Sequence, residues 1–174
     1  LGRGAEDQSP DPAPIVGAAA LVGLACGGAH TCGHEVSGDP WCWGANDRGQ
    51  LGTLDLIDRP TPTPIPAIFR YVLLTAGEAH TCGLSVSGTP MCWGANDQGQ
   101  LGEGTTRDRD SPIFLSAPER FTGLSAGRAH TCAQGEAGRV LCWGDAGLGQ
   151  LGGASEVDTP LPLRVDAPAL IGIT

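Results

Sequence analysis

The chain has 174 residues, 40% of them hydrophobic, with a net charge of −9 and only 10 basic side chains. That length permits a sizeable core, the charge has the wrong sign for a nucleic-acid groove, and no apolar run reaches the roughly 18 to 20 residues of a membrane-spanning helix. The 28 Gly and 14 Pro recur at fixed places, so they mark tight turns and not disorder.

In chain order, residues 1–14 carry one Arg against Glu6, Asp7 and Asp11 and read as the end of a preceding repeat with a linker. Residues 15–26, IVGAAALVGLAC, have about the length of a signal-sequence core, but the flank ahead of them lacks the basic residues such a segment needs. The run reads instead as a strand, because Leu24-Ala25-Cys26-Gly27 falls 50 residues before Leu74-Thr75-Ala76-Gly77. The same step of 50 relates His30, His80 and His130, then Trp43, Trp93 and Trp143, then Gly44, Gly94 and Gly144, then Gln50, Gln100 and Gln150. A period of this size signals an array of one supersecondary unit, whose function lies in the assembled surface. The units are 15–64, 65–114 and 115–164, and 165–174 opens a following one. Both ends fall inside a repeat, which reads as a segment of a longer protein.

The second unit shows the local pattern. Tyr71–Ala76 is rich in β-formers and ends at Gly77, residues 81–86 alternate, Ser87-Gly88-Thr89 is a turn signal, and 91–93 resume the extended pattern. Gly94, Gly99 and Gly102 punctuate a loop, and Pro112 admits a last, edge-like strand at 113–115. Four short antiparallel strands per unit make the blade of a propeller. Gly94 and its two equivalents open the loop in a backbone conformation that disfavours a side chain.

If residues 32 and 42 face each other across a hairpin, both lie on one face, since their separation is even and side chains alternate. The pairs Cys32 and Cys42, Cys82 and Cys92, and Cys132 and Cys142 are then close enough for disulfides. Gly33, Gly83 and Ala133 stand across from Trp41, Met91 and Leu141 on the opposite face. Two other readings compete: a metal site from His30, Cys32, Cys42 and Cys26, whose types suit zinc, and free buried thiols. Ala76 and Ala126 replace Cys26 in the other units, which leaves those without a fourth Cys ligand and favours disulfides with no metal. Cys26 reads as a free, buried, small residue.

The histidines follow a Gly turn at a strand start, where an imidazole anchors its loop by hydrogen bonds to backbone. Identical copies in every unit point to architecture, and no Ser-His-Asp set, phosphate-cradling loop or paired-carboxylate motif accompanies them. The recurring tryptophans read as core, and so does Trp41, which is peculiar to one unit.

LACGGAHTC, LLTAGEAHTC and GLSAGRAHTC, followed by CWGANDRGQLG, CWGANDQGQLG and CWGDAGLGQLG, resemble regulator of chromosome condensation repeats. The resemblance covers 15–164 and implies an all-β fold, three four-stranded blades of a seven-bladed β-propeller. The best-known member of that family acts in the nucleus as a nucleotide exchange factor for a small GTPase, docking on nucleosomes; others are secreted bacterial proteins that bind protein partners. The paired cysteines resemble the extracytoplasmic bacterial kind, because a reducing nucleus would not maintain them. Ala146 departs from Asn46 and Asn96, and Gln134 and Glu136 depart from Leu84 and Val86, so the third blade is expected to be looser at that edge.

The expected function is a non-enzymatic, extracytoplasmic scaffold for a protein partner, with no cofactor and no nucleic acid, completed by further blades of the same chain. Loops 53–60 and 103–110, with Asp55, Asp58, Arg59, Arg107, Asp108, Arg109 and Asp110, vary over the repeated frame and are the candidate partner-binding residues. The alternatives are an exchange-factor-like regulator of a small GTPase and a propeller-scaffolded lyase or hydrolase.

Overall fold

Alternation along short β-rich segments produces the whole architecture. The computed structural model describes residues 14, 15, 17, 20–66, 69–115, 119–136, 138–153 and 156–165. Its first sheet contains β1 (Leu21–Cys26), β2 (His30–Glu35), β3 (Pro40–Gly44) and β4 (Arg59–Pro64). The second contains β5 (Tyr71–Ala76), β6 (His80–Ser85), β7 (Pro90–Gly94) and β8 (Arg109–Phe114), and the third β9 (Phe121–Ala126), β10 (His130–Gly135), β11 (Val140–Gly144) and β12 (Thr159–Val165). Each is a four-stranded antiparallel sheet with its strands in sequence order. The expected neighbouring repeats at 1–14 and 165–174 lie outside the described residues, Pro14 and Val165 apart.

The central hairpins have the register that the cysteines require: Cys32 opposes Cys42, Cys82 opposes Cys92 and Cys132 opposes Cys142, with Gly33, Gly83 and Ala133 opposite Trp41, Met91 and Leu141. Each cysteine pair is bonded, with Cα atoms 4.1 Å apart, the narrow spacing of a non-hydrogen-bonded pair. The outer strand departs from the expected 113–115. It begins at Arg109, which pairs with Gly94 across a register shift. The prolines are tolerated there because this strand is an edge, where a missing N–H breaks no ladder bond.

Alternation also decides how the sheets stack. Cys82, Leu84, Cys92, Leu101 and Leu115 of the second blade pack against Phe121, Leu124, Ala133, Leu141 and Trp143 of the third. Cys32, Cys42, Leu51 and Ile65 of the first pack in the same way against Tyr71, Leu74, Met91 and Trp93 of the second. The disulfide face of one blade thus covers the Trp face of the next, and Trp43, Trp93 and Trp143 are buried. Trp41 lies on the same face as Trp43 but is only half-buried, and its Nε1 donates to Glu35 Oε1 at 2.7 Å.

Gly94 has φ +100°, and a Cβ there would lie 2.5 Å from the Ala79 carbonyl oxygen; Gly44 and Gly144 repeat this geometry. Because His30 pairs with Gly44 and Gly44 with Arg59, the β1–β2 turn and the long β3–β4 loop share one end of the blade. The same holds for the second and third blades, so all the candidate loops emerge on one side.

Candidate functional site

The seam between blades is built from the repeated motif itself. The Thr81 hydroxyl donates its one proton to the Gln50 backbone carbonyl at 2.8 Å, and Trp93 Nε1 donates to the same oxygen at 2.9 Å. His30 Nε2 lies 2.8 Å from that hydroxyl oxygen, so the imidazole is the donor and carries its proton on Nε2. The next seam repeats it: His80 Nε2 to Thr131 Oγ1 at 3.0 Å, Thr131 to the Gln100 carbonyl at 2.9 Å, and Trp143 to the same carbonyl at 2.8 Å. The histidines were expected to anchor their own loops through backbone; His30 and His80 instead bond a threonine of the following blade. The reason is that His80 and Thr131 sit on faces that stacking brings together.

Nδ1 of His30 and of His80 is buried with no hydrogen-bond partner among the described residues, so a second proton would be both charged and unsatisfied. Burial accordingly pushes His30 down to about 4. It pushes His80 down to about 3, with the neighbouring His30 and His130 adding to the effect. Burial lowers His130 also, against an opposing pull from Asp145. The neutral imidazoles of His30 and His80 are thus wedged into the seams between blades.

The loop end is a network closed on itself. Asn46 is fully buried; its Nδ2 donates to the Asp55 carbonyl at 2.8 Å, its Oδ1 accepts from Leu51 N at 2.9 Å, and its own N–H donates to Asp58 Oδ1 at 2.7 Å. Asn96 repeats this with the Thr105 and Arg107 carbonyls, Leu101 N and Asp108 Oδ1. Ala146 retains only the backbone part, its N–H donating to Asp158 Oδ1 at 2.9 Å. Gln50 and Gln100 cap their own loops, each Oε1 accepting from the backbone N–H two residues earlier, and Gln150 does likewise for Leu148.

Most of the candidate partner-binding residues are engaged within this network. Arg59 pairs with Asp55 at 2.6 Å and Arg109 with Glu103 at 3.2 Å. Asp55 is held below its ordinary range by the Ile57 N–H and by Arg59 and Thr53. Asp108 accepts from Arg48 at 2.5 Å, and this bond with the Asn96 N–H outweighs burial and lowers it as well. Arg107 and Asp110 are exposed, although the Asp110 carbonyl accepts from Leu54 N at 3.0 Å and ties the first loop to the second blade.

Beside these loops the three blades enclose a polar cleft of about 520 Å³, lined by Asp47, Arg48, Glu78, Asp97, Arg128 and Asp145 among others. Two ion pairs cross it, Arg48 with Asp97 at 3.4 Å and Arg128 with Glu78 at 2.5 Å. Cys26 is free, as expected, but exposed and not buried. Alternation turns Ala25 inward and Cys26 outward at the end of β1. Among the described residues no group of three or more His, Cys, Asp or Glu side chains is placed to hold a metal ion.

The sequence matches the Regulator of chromosome condensation (RCC1) repeat over residues 37–84 and 91–134, and a second form of that repeat over 71–100. The chain belongs to the Regulator of chromosome condensation repeat family. Solved structures agree on the fold. Prp20p of Saccharomyces cerevisiae, studied for its binding to Gsp1p and histones, aligns with TM-score 0.77 and 24% identity over 86% of this chain and 39% of its own. Human WBSCR16 aligns with TM-score 0.77 and 22% identity over 84% and 38%. The ectodomain of the Physcomitrella patens receptor kinase CR4 aligns with TM-score 0.51 and 26% identity over 71% and 29%. The chain therefore spans well under half the length of these proteins. No curated protein matches it.

Proposed function

We propose that this chain is part of a non-enzymatic β-propeller scaffold that presents its loop end to a protein partner outside the cytoplasm. One observation carries this reading: a repeated, covalently stapled frame directs all the long loops, which vary between blades, to the same end. A rigid frame under variable loops is the arrangement in which recognition resides in loops. Hairpin disulfides fit an oxidising compartment, and the receptor-kinase ectodomain is a neighbour of the same fold that lies outside the cell membrane. Three four-stranded units do not close a ring. We take further blades of the same propeller to cover the disulfide face of the third blade, where His130 is less buried than His80.

The test places a photo-crosslinking residue at position 107 on the loop end, or at position 86 on the opposite hairpin, in the protein expressed in its host. A discrete protein adduct from position 107 and none from 86 is expected. Adducts only from 86, or none from either site, would contradict the reading.

A further inference from the structure

Loop 53–58 of the first blade turns its polar groups inward. Asp55 alone accepts from Asn46, Thr53, the Ile57 N–H and Arg59, and Arg59 Nη1 donates to the Ile57 carbonyl at 2.7 Å. This leaves Leu54, Leu56 and Ile57 pointing out, 60%, 60% and 63% exposed. A single exposed aliphatic side chain needs no explanation, whereas three within four positions of one rigid loop do. The frame does not ask for them: the equivalent positions of the second blade hold Gly104, Thr106 and Arg107 on the same hydrogen-bonded scaffold. Leu54 is moreover at φ +64°, the one non-glycine residue with positive φ among those described, in the slot where Gly104 sits at φ +91°. A left-handed leucine is strained where a glycine is at ease.

We propose that Leu54, Leu56 and Ile57 are the apolar anchor of a binding surface on the loop end, and that its occupant is a protein segment presenting an aliphatic or aromatic side chain beside Lys or Arg. The inference rests on the scaffold reading above and names its contact. The loop is already ordered by its internal bonds, so binding freezes little more. Charge selects the occupant. The nearby cations Arg59 and Arg48 are paired within the chain, and in the same loops the three exposed carboxylates of Asp47, Asp58 and Asp110 outnumber the exposed Arg107, leaving the rim net negative. Basic flanks complement that rim and an anionic membrane does not.

The probe is a random peptide library displayed on phage, selected on the full chain. Selected peptides should share an apolar residue next to Lys or Arg, and should lose affinity about tenfold or more against L56S/I57S but not against V86S at the opposite end. L54G should keep or raise the thermal midpoint while weakening the same peptides, a combination that a merely tolerated leucine would not give. Peptides insensitive to L56S/I57S would overturn the anchor and leave the scaffold reading standing; failure to select any peptide counts against both. Binding of the chain to phosphatidylcholine vesicles that is lost in L56S/I57S would overturn the choice of a protein occupant in favour of a lipid surface.

Discussion

His80 and Thr131, 51 residues apart, meet across the seam between the second and third blades, with Nε2 3.0 Å from the hydroxyl oxygen. The Thr131 proton goes on to the Gln100 carbonyl, which also accepts from Trp143. One short relay thus joins a strand of one blade to a strand and a loop of the pair.

T131V keeps the shape of this side chain and removes the hydroxyl. The buried His80 Nε2–H then loses its acceptor, which costs about 1 to 3 kcal/mol. Urea denaturation of the variant should show that loss with an unchanged slope. Unaltered stability would mean that the relay contributes nothing.

Acid acts through the same histidines. Their folded pKa values, about 4 for His30 and about 3 for His80, lie below the unfolded value of 6.5, so the unfolded chain binds more protons between those limits. The stability they contribute is complete above pH 6.5 and is lost as pH falls toward the folded values, by up to about 1.4 kcal/mol per pH unit for each group. Asp39, Asp55 and Asp108 have pKa values lowered below 3.8, so their contributions fade only in stronger acid. Denaturation midpoints should therefore drop between pH 7 and pH 5, and less so in H80Q. Equal midpoints at the two pH values would contradict the buried, neutral imidazole.

Gly99 and Gly149 occupy the same loop position with φ +79° and +75°. A Cβ at Gly99 would come 2.5 Å from the Pro160 Cα of the next blade, while at Gly149 nothing lies within 4 Å. Both alanine variants carry the left-handed strain, so their difference isolates the contact between blades. G99A should be the less stable by about 1 to 3 kcal/mol, read by thermal or chemical denaturation. Equal destabilisation would mean that the loop does not press on its neighbour.

The parts of this architecture that were legible in the sequence are those fixed by local spacing. The even separation of Cys82 and Cys92, with Gly83 opposite Met91, specifies the hairpin register through alternation alone. The His80 partner was not legible from a single repeat, because it depends on which faces stack, although Thr31, Thr81 and Thr131 recur beside the histidines and carried the signal. The start of β8 was hidden by Pro112, which signals a break in a central strand but not on an edge. At the loops, variation in charge drew attention to Asp55, Asp58 and Asp108, which the buried Asn46 and Asn96 and the cation Arg48 turn out to occupy. Leu54, Leu56 and Ile57 gave no periodic signal. Their exposure follows from the inward hydrogen bonds of Asp55, which no pattern of hydrophobicity encodes.

The state of the cysteines in protein taken from its native host tests the account most directly, since each hairpin bond closes a separation of 10 residues and adds about 2 to 3 kcal/mol. Alkylation of the folded protein followed by non-reducing peptide mapping should modify Cys26 alone and recover the pairs Cys32 with Cys42, Cys82 with Cys92 and Cys132 with Cys142. Seven alkylated cysteines, or six, would contradict the stapled frame and the extracytoplasmic scaffold together and would favour an intracellular regulator.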